Sequence, residues 1–145
     1  MVHVIRTFTV ARPAAEVLAY LADFGHAPKW DPGTETCTRI DDGPVAAGAR
    51  WQNVSKVLGM STELEYRLER LGDDHFTLVG RNDTATATDH VTVRPHELGC
   101  EVTYDATVEL HGVAKLGSPL MQMEFERLGD ETVEGIRRAV TPASA

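Results

Sequence analysis

Residues 100–110 carry the strictest pattern in the chain. Cys100, Val102, Tyr104, Ala106, Val108 and Leu110 alternate with Glu101, Thr103, Asp105, Thr107 and Glu109. A period of two places one set on a buried sheet face and the other in water. Residues 84–94 alternate too, with Ala85, Ala87, Asp89, Val91 and Val93 set against Thr84, Thr86, Thr88, His90, Thr92 and Arg94. Closing a hairpin through residues 96–99 puts Arg94 opposite Glu101, Thr92 opposite Thr103, His90 opposite Asp105 and Thr88 opposite Thr107 on the wet face. The other face then pairs Val93 with Val102, Val91 with Tyr104, Asp89 with Ala106 and Ala87 with Val108. A slip of one residue would set charges against valines, so the register is well specified. The frame is an antiparallel sheet with one dry face, and Asp89 is the misfit on that face.

The rest of the chain extends this frame. Residues 3–10, 34–41, 48–57, 60–70 and 75–81 read as further strands, joined by short segments rich in Gly, Asp and Asn. A two-residue turn at Asn82-Asp83 sets Phe76 opposite Asp89 and Leu78 opposite Ala87. A hairpin through Leu71-Gly72-Asp73 brings Leu64, Tyr66 and Leu68 to the inner face, and a turn at Leu58-Gly59 adds Ala49, Trp51 and Asn53. Pro13 opens a helix running to about Ala22, since its missing N–H costs nothing there. A second short helix or turn, Asp23 to Trp30, stops at Asp31-Pro32-Gly33.

At the other end, Ser118 suits an N-cap, Pro119 a first helical residue, and Thr141-Pro142 a stop. Between them Met121, Phe125, Leu128, Thr132, Val133, Ile136, Ala139 and Val140 share one face of a long amphipathic helix. Gly129 and Gly135 interrupt it, which fits either bending or close approach of a neighbour.

The 145 residues suit one domain spanning 1–145, with no repeat or linker. The net charge of −8 opposes binding to a nucleic-acid backbone. Met1 to Arg6 lack a signal-peptide pattern, and no stretch approaches the ~18 apolar residues of a membrane span. The expected location is therefore cytoplasmic. The six histidines are scattered, and the common metal, nucleotide and hydrolase motifs are missing, so neither metal nor cofactor is expected.

The inner face mixes small residues (Ala49, Gly80, Ala85, Ala87, Ala106) with rings (Trp51, Tyr66, Phe76, Tyr104) and a few polar groups. That composition suits a small-molecule pocket, and also a filled core whose tyrosines reach the surface. The ligand-facing candidates are Trp51, Asn53, Tyr66, Phe76, Leu78, Asp89, Val91, Tyr104 and Ala106 on the sheet, with Met121, Phe125 and Leu128 on the helix. Burial raises a carboxylate toward neutrality, so Asp89 has three readings: structural, ligand-orienting or catalytic. Tyr66 and Tyr104 are candidate donors to a developing oxyanion. Segments at Leu58-Gly59 and His111 to Ser118 are candidate gates. Leu120 and Met123 project from the polar side of the last helix, where a partner, a loop or a second copy in a homodimer would cover them.

The order strand, two short helices, six strands, long helix resembles the helix-grip fold of the START and pollen-allergen (SRPBCC) superfamily, in particular its bacterial polyketide cyclase/dehydrase-like branch. The matching stretches are the opening strand with Arg12-Pro13-Ala14-Ala15-Glu16-Val17, Tyr20 to Phe24 leading to Trp30-Asp31-Pro32-Gly33, Gly99 to Tyr104, and Phe125 to Arg138. The resemblance implies an α+β architecture: a seven-stranded curved antiparallel sheet wrapped around the C-terminal helix, with a cavity between. It also implies that the first strand pairs with both the second and the seventh, which would hold Cys37 and Cys100 about 10 Å apart as free thiols. Two functions are compatible with it. One is binding of a hydrophobic small molecule such as a lipid, polyketide or ring compound. The other is a cofactor-independent polyketide cyclase or dehydratase with Asp89 as general acid/base. Interaction modules also occur in the superfamily, and fold alone does not choose among them.

Overall fold

The computed structural model describes residues 1–57, 59–111 and 119–141. Strand β1 (Val2–Val10) leads into α1 (Ala14–Ala22), a 3₁₀ turn (Phe24–His26) and the short α2 (Ala27–Trp30). Six strands follow: β2 (Thr34–Arg39), β3 (Arg50–Val57), β4 (Met60–Leu71), β5 (His75–Arg81), β6 (Ala85–His96) and β7 (Gly99–Leu110). Helix α3 (Pro119–Val140) closes the fold. The sheet is antiparallel throughout, in the order β1-β7-β6-β5-β4-β3-β2. Ser118 and Leu58, expected at a cap and a turn, lie outside the described residues, as do residues 112–118 of the expected gate.

The β6–β7 register is the one the alternation requires, from Ala87↔Val108 to Arg94↔Glu101. The ladder runs further than expected, to His96↔Gly99, and leaves only Glu97 and Leu98 in the turn. Gly99 takes φ +135 there, and a Cβ would stand 2.3 Å from the Val10 carbonyl oxygen, so only glycine fits. His90 and Asp105 do sit opposite each other, but His90 bonds to Thr77 (2.7 Å) and Asp105 to His3 (2.7 Å).

Two expectations fail. β5 pairs with β6 as Phe76↔Val91 and Leu78↔Asp89, two residues from the expected register. The cause is the turn: the Asn82 side-chain oxygen accepts from the backbone N–H groups of Thr84 and Ala85 (both 2.8 Å), and Arg81↔Thr86 is the last strand pair. A shift of two preserves the faces, so Asp89 stays inside but lies beside Leu78 instead of Phe76. Secondly, β1 pairs with β7 while β2 pairs with β3, and the two strands lie at opposite ends of the sheet order. Cys37 and Cys100 are free thiols, separated by the sheet order and not by a shared neighbouring strand.

The inner face divides into two halves. One is closed: Trp51, Leu68, Phe76, Leu78, Val91, Val93 and Val102 form a core with Val17 and Leu21 of α1, and with Phe24 and Trp30. Phe24 is the hub, its ring 4.6 Å from Tyr66, 6.1 Å from Trp30 and 6.3 Å from Trp51. The second half of α3 packs on this core through Thr132, Gly135, Ile136 and Val140. A Cβ on Gly135 would lie 2.2 Å from the Trp30 carbonyl oxygen, and one on Gly129 would lie 2.7 Å from Val4, so both glycines serve close approach. The first half of α3 behaves differently: Met121, Phe125 and Leu128 are only half-buried.

Helix α3 also covers the free edge of β1. The Gln122 amide donates to the His3 carbonyl (2.9 Å) and accepts from its N–H (3.4 Å), while Arg137 donates to the Thr9 carbonyl. Arg6 ties the same surfaces together, bonding Asp130 (2.9 Å) and the Glu126 carbonyl (3.0 Å). An edge strand so occupied is blocked as a template for strand addition.

Candidate functional site

The open half of the inner face and the first half of α3 enclose a cavity of about 440 Å³. Its floor is apolar and built from small or branched side chains: Val2 and Val4 on β1, Leu64 on β4, Ala85 and Ala87 on β6, Ala106 and Val108 on β7. Met121, Phe125 and Leu128 form the facing wall. Those three side chains are half-buried because they face a void instead of a partner. A wider depression of about 610 Å³ lies on the outer face, among Arg50, Glu65, Arg67 and Arg81. Its arginines are engaged in ion pairs with Glu65 and Glu69, and nothing there is enclosed.

The register explains where the polar groups sit. One row across the sheet runs Leu68, Leu78, Asp89, Ala106, Val4. Leu68 and Leu78 are fully buried, whereas Ala106 and Val4 line the cavity. Asp89 stands at the crossing from packed core to void and is 8% exposed. Burial raises its carboxyl to about 7, the charge of Asp31 adds to the rise, and the neighbouring Tyr104 phenol, able to donate a hydrogen bond, opposes it. The phenols of Tyr66 and Tyr104 are held well above their ordinary range by burial, and further by Asp89 and Asp31. They therefore remain protonated donors at neutral pH. The Tyr66 ring lies against Gly80, where a Cβ would come within 2.6 Å of it, so the absent side chain makes room for the ring.

Asp31 is the residue that sequence reasoning missed, having read Asp31-Pro32-Gly33 only as a breaker. It is a turn former: its carboxylate accepts from the Gly33 N–H (3.2 Å) and the Thr34 hydroxyl (2.8 Å). It also lines the cavity, and burial raises its carboxyl. The signal available in the sequence was Trp30, whose apolar ring had to be buried and so drew its neighbour inward. The Trp30 ring packs edge-on to Tyr104, with centroids 6.0 Å apart, and staples α2 to the sheet.

Of the residues singled out from the sequence, Tyr66, Asp89, Tyr104, Ala106, Met121, Phe125 and Leu128 share the cavity wall. Trp51, Asn53, Phe76, Leu78 and Val91 do not. All five occupy the same sheet face, and Trp51, Phe76, Leu78 and Val91 lie in the half covered by α1 and the 3₁₀ turn. Asn53 has a supporting position instead. Its amide donates to the Thr34 hydroxyl (3.1 Å), which donates to Asp31, and its carbonyl accepts from Ser55 (2.5 Å). Leu120 and Met123 are exposed, at 64% and 68%. No grouping of three or more His, Cys, Asp or Glu side chains suited to a metal occurs among the described residues, and none of their helices is long and apolar enough to cross a membrane.

Comparison with solved structures agrees with this architecture. A START superfamily protein from Mycobacterium smegmatis superposes with a TM-score of 0.80 at 14% identity, covering 95% of this chain and 96% of its own. The Zhui aromatase/cyclase from Streptomyces sp. R1128 gives 0.77 at 14% identity, with 94% and 92% covered. The di-domain aromatase/cyclase BexL of the BE-7585A biosynthetic pathway gives 0.72 at 11% identity, covering 98% of this chain and 50% of its own. At such identities the likeness shows the helix-grip fold alone. No curated protein matches the sequence. The profile of the family described as polyketide cyclase / dehydrase and lipid transport, however, matches residues 1–141, and the chain belongs to that family.

Proposed function

We propose that this protein binds a hydrophobic small molecule in the cavity between the sheet and α3. The observation that carries the reading is a cavity of about 440 Å³, walled mainly by aliphatic and aromatic side chains, with Asp89, Tyr66 and Tyr104 among its polar groups. Apolar burial supplies affinity at roughly 25 cal/mol per Å² of surface removed from water. Asp89, Tyr66 and Tyr104 orient the occupant, and the family's association with lipid transport supports this use. Nile red, a neutral apolar dye, tests it. The dye should bind saturably and brighten, and Ala106→Phe should abolish the signal while the unfolding midpoint holds, because the new ring fills existing space. Absence of uptake, or equal uptake by the variant, overturns the proposal. Native mass spectrometry of freshly purified protein provides a second readout through a co-purifying ligand.

A second reading rests on Asp89 itself. A carboxyl poised at about 7 exchanges a proton readily at neutral pH, and two protonated phenols stand nearby. In cyclase or dehydratase chemistry Asp89 would take a proton beside a carbonyl, or give one to a leaving hydroxyl, while Tyr66 and Tyr104 donate to the oxyanion. Asp89→Asn would then abolish turnover and leave Nile red binding in place. Unchanged turnover removes this reading and leaves the carrier.

A further inference from the structure

Among the described residues that line the cavity there is no Lys, Arg or His, while two carboxylates, Asp31 and Asp89, open onto it. The chain carries 14 Lys and Arg side chains. Arg6, which lies beside the lining residue Gly129, is committed to Asp130 and Glu126. Asp89 is more than nine-tenths buried, and the Tyr104 phenol beside it is able to donate a hydrogen bond. Asp31 and Asp89 come from different parts of the fold, one from the turn after α2 and the other from the middle of β6.

We propose that the cavity selects its occupant by charge, taking an apolar molecule with a protonated amine directed at Asp89 and Asp31, and refusing one that ends in a carboxylate or phosphate. This rests on the cavity being a binding site and names the chemical class that the site admits. In a low-dielectric space an anionic head meets two like charges without a counter-cation, whereas an ammonium group meets two acceptors. Among the described residues the partners of these carboxylates are neutral, the Gly33 N–H and Thr34 hydroxyl on Asp31 and the Tyr104 phenol beside Asp89, and Asp31 acts on Asp89 as a like charge that raises its proton affinity.

The test uses three probes with one tail, decylamine, decanol and decanoate, each displacing Nile red at about pH 8, above the value of about 7 to which burial raises Asp89 and below that at which an alkylamine loses its proton. Decylamine should displace the dye at roughly tenfold lower concentration than decanoate, the usual worth of one charge-assisted hydrogen bond, with decanol between them. Asp89→Asn should narrow the gap. Asp31→Asn should narrow it too, and asparagine keeps the acceptor that the turn needs. Equal displacement by amine and carboxylate, or preference for the carboxylate, overturns charge selection while Nile red uptake keeps the cavity reading standing. A gap untouched by both substitutions overturns the assignment to these two residues. If neither Nile red nor decanol enters, the binding reading itself has failed.

Discussion

Asp89 makes this protein less stable as pH rises, and the size of that effect can be worked from its surroundings. In the unfolded chain the carboxyl titrates near its ordinary value of 3.8; in the folded protein burial raises it to about 7. Between these values the unfolded state releases the proton and the folded state keeps it, so the folded state binds more protons. Stability then falls as pH increases, from about pH 4 until it levels off above about pH 7. The separation is about 3 units, and at 1.36 kcal/mol per unit the full cost is ~4 kcal/mol, an upper bound. Asp89→Asn removes the titration but keeps the shape and an acceptor for Tyr104. The variant should match the parent near pH 4 and exceed it by up to ~4 kcal/mol near pH 8.5. Asp31, raised by its own burial, stands in both proteins. Urea unfolding followed by tryptophan fluorescence is a suitable assay, since Trp30 and Trp51 are both buried. Parallel pH profiles for the two proteins, or a variant weaker than the parent at pH 8.5, would refute the reasoning.

Three further substitutions probe the frame around the site. Gly80→Val drives a side chain into the Tyr66 ring and should cost about 1–3 kcal/mol in urea unfolding, with altered Nile red affinity because the ring must move. Asn53→Ala leaves Thr34 and Ser55 without their buried partner; a loss of roughly 1–3 kcal/mol is expected, along with a weakened amine preference as the Asp31 turn loosens. Gly135→Leu sets a side chain against the Trp30 backbone and should lower the thermal midpoint far more than Gly43→Ala, whose glycine has open space around it but the same positive-φ demand as other turn glycines. Equal effects of these last two would mean that α3 does not approach α2 as described.

Much of the fold was legible because its information is local and two-sided. In β6 and β7 the outer pairs from Thr88↔Thr107 to Arg94↔Glu101 join Thr to Thr or a basic residue to an acidic one, and every inner pair but one is apolar, so both faces favour one register. β5 offers only one such guide. Its inner residues are apolar at every second position, a shift of two leaves them so, and the Asn82 side chain decided the matter. The candidate site was half legible for a related reason. Alternation tells which face a residue occupies, but not whether a helix already covers it there. Trp51 and Val91 look the same as Ala106 on that criterion, yet α1 and Phe24 cover the first two positions. Asp31 was hidden because a turn signal fully accounts for Asp-Pro-Gly. The edge placement of β1 was misjudged because it is a matter of long-range topology, which no short pattern encodes.

Helix α3 is held more tightly over its second half than over its first. Its second half is fixed by Gly135 against Trp30, by Arg6 on Asp130, and by Arg12 and Arg137 at its last turns. Among the described residues its first turn is tied by the Gln122 amide on the His3 backbone, and Arg6 reaches the Glu126 carbonyl further along. Bending concentrates near Gly129, where no side chain stiffens the contact with Val4. Raising the first turn would break the two neutral Gln122 hydrogen bonds, about 1–3 kcal/mol, and leave the packed core untouched. The cavity thus has one compliant wall and one stiff one, so an occupant of greater bulk would be met by movement of α3 and not of the sheet.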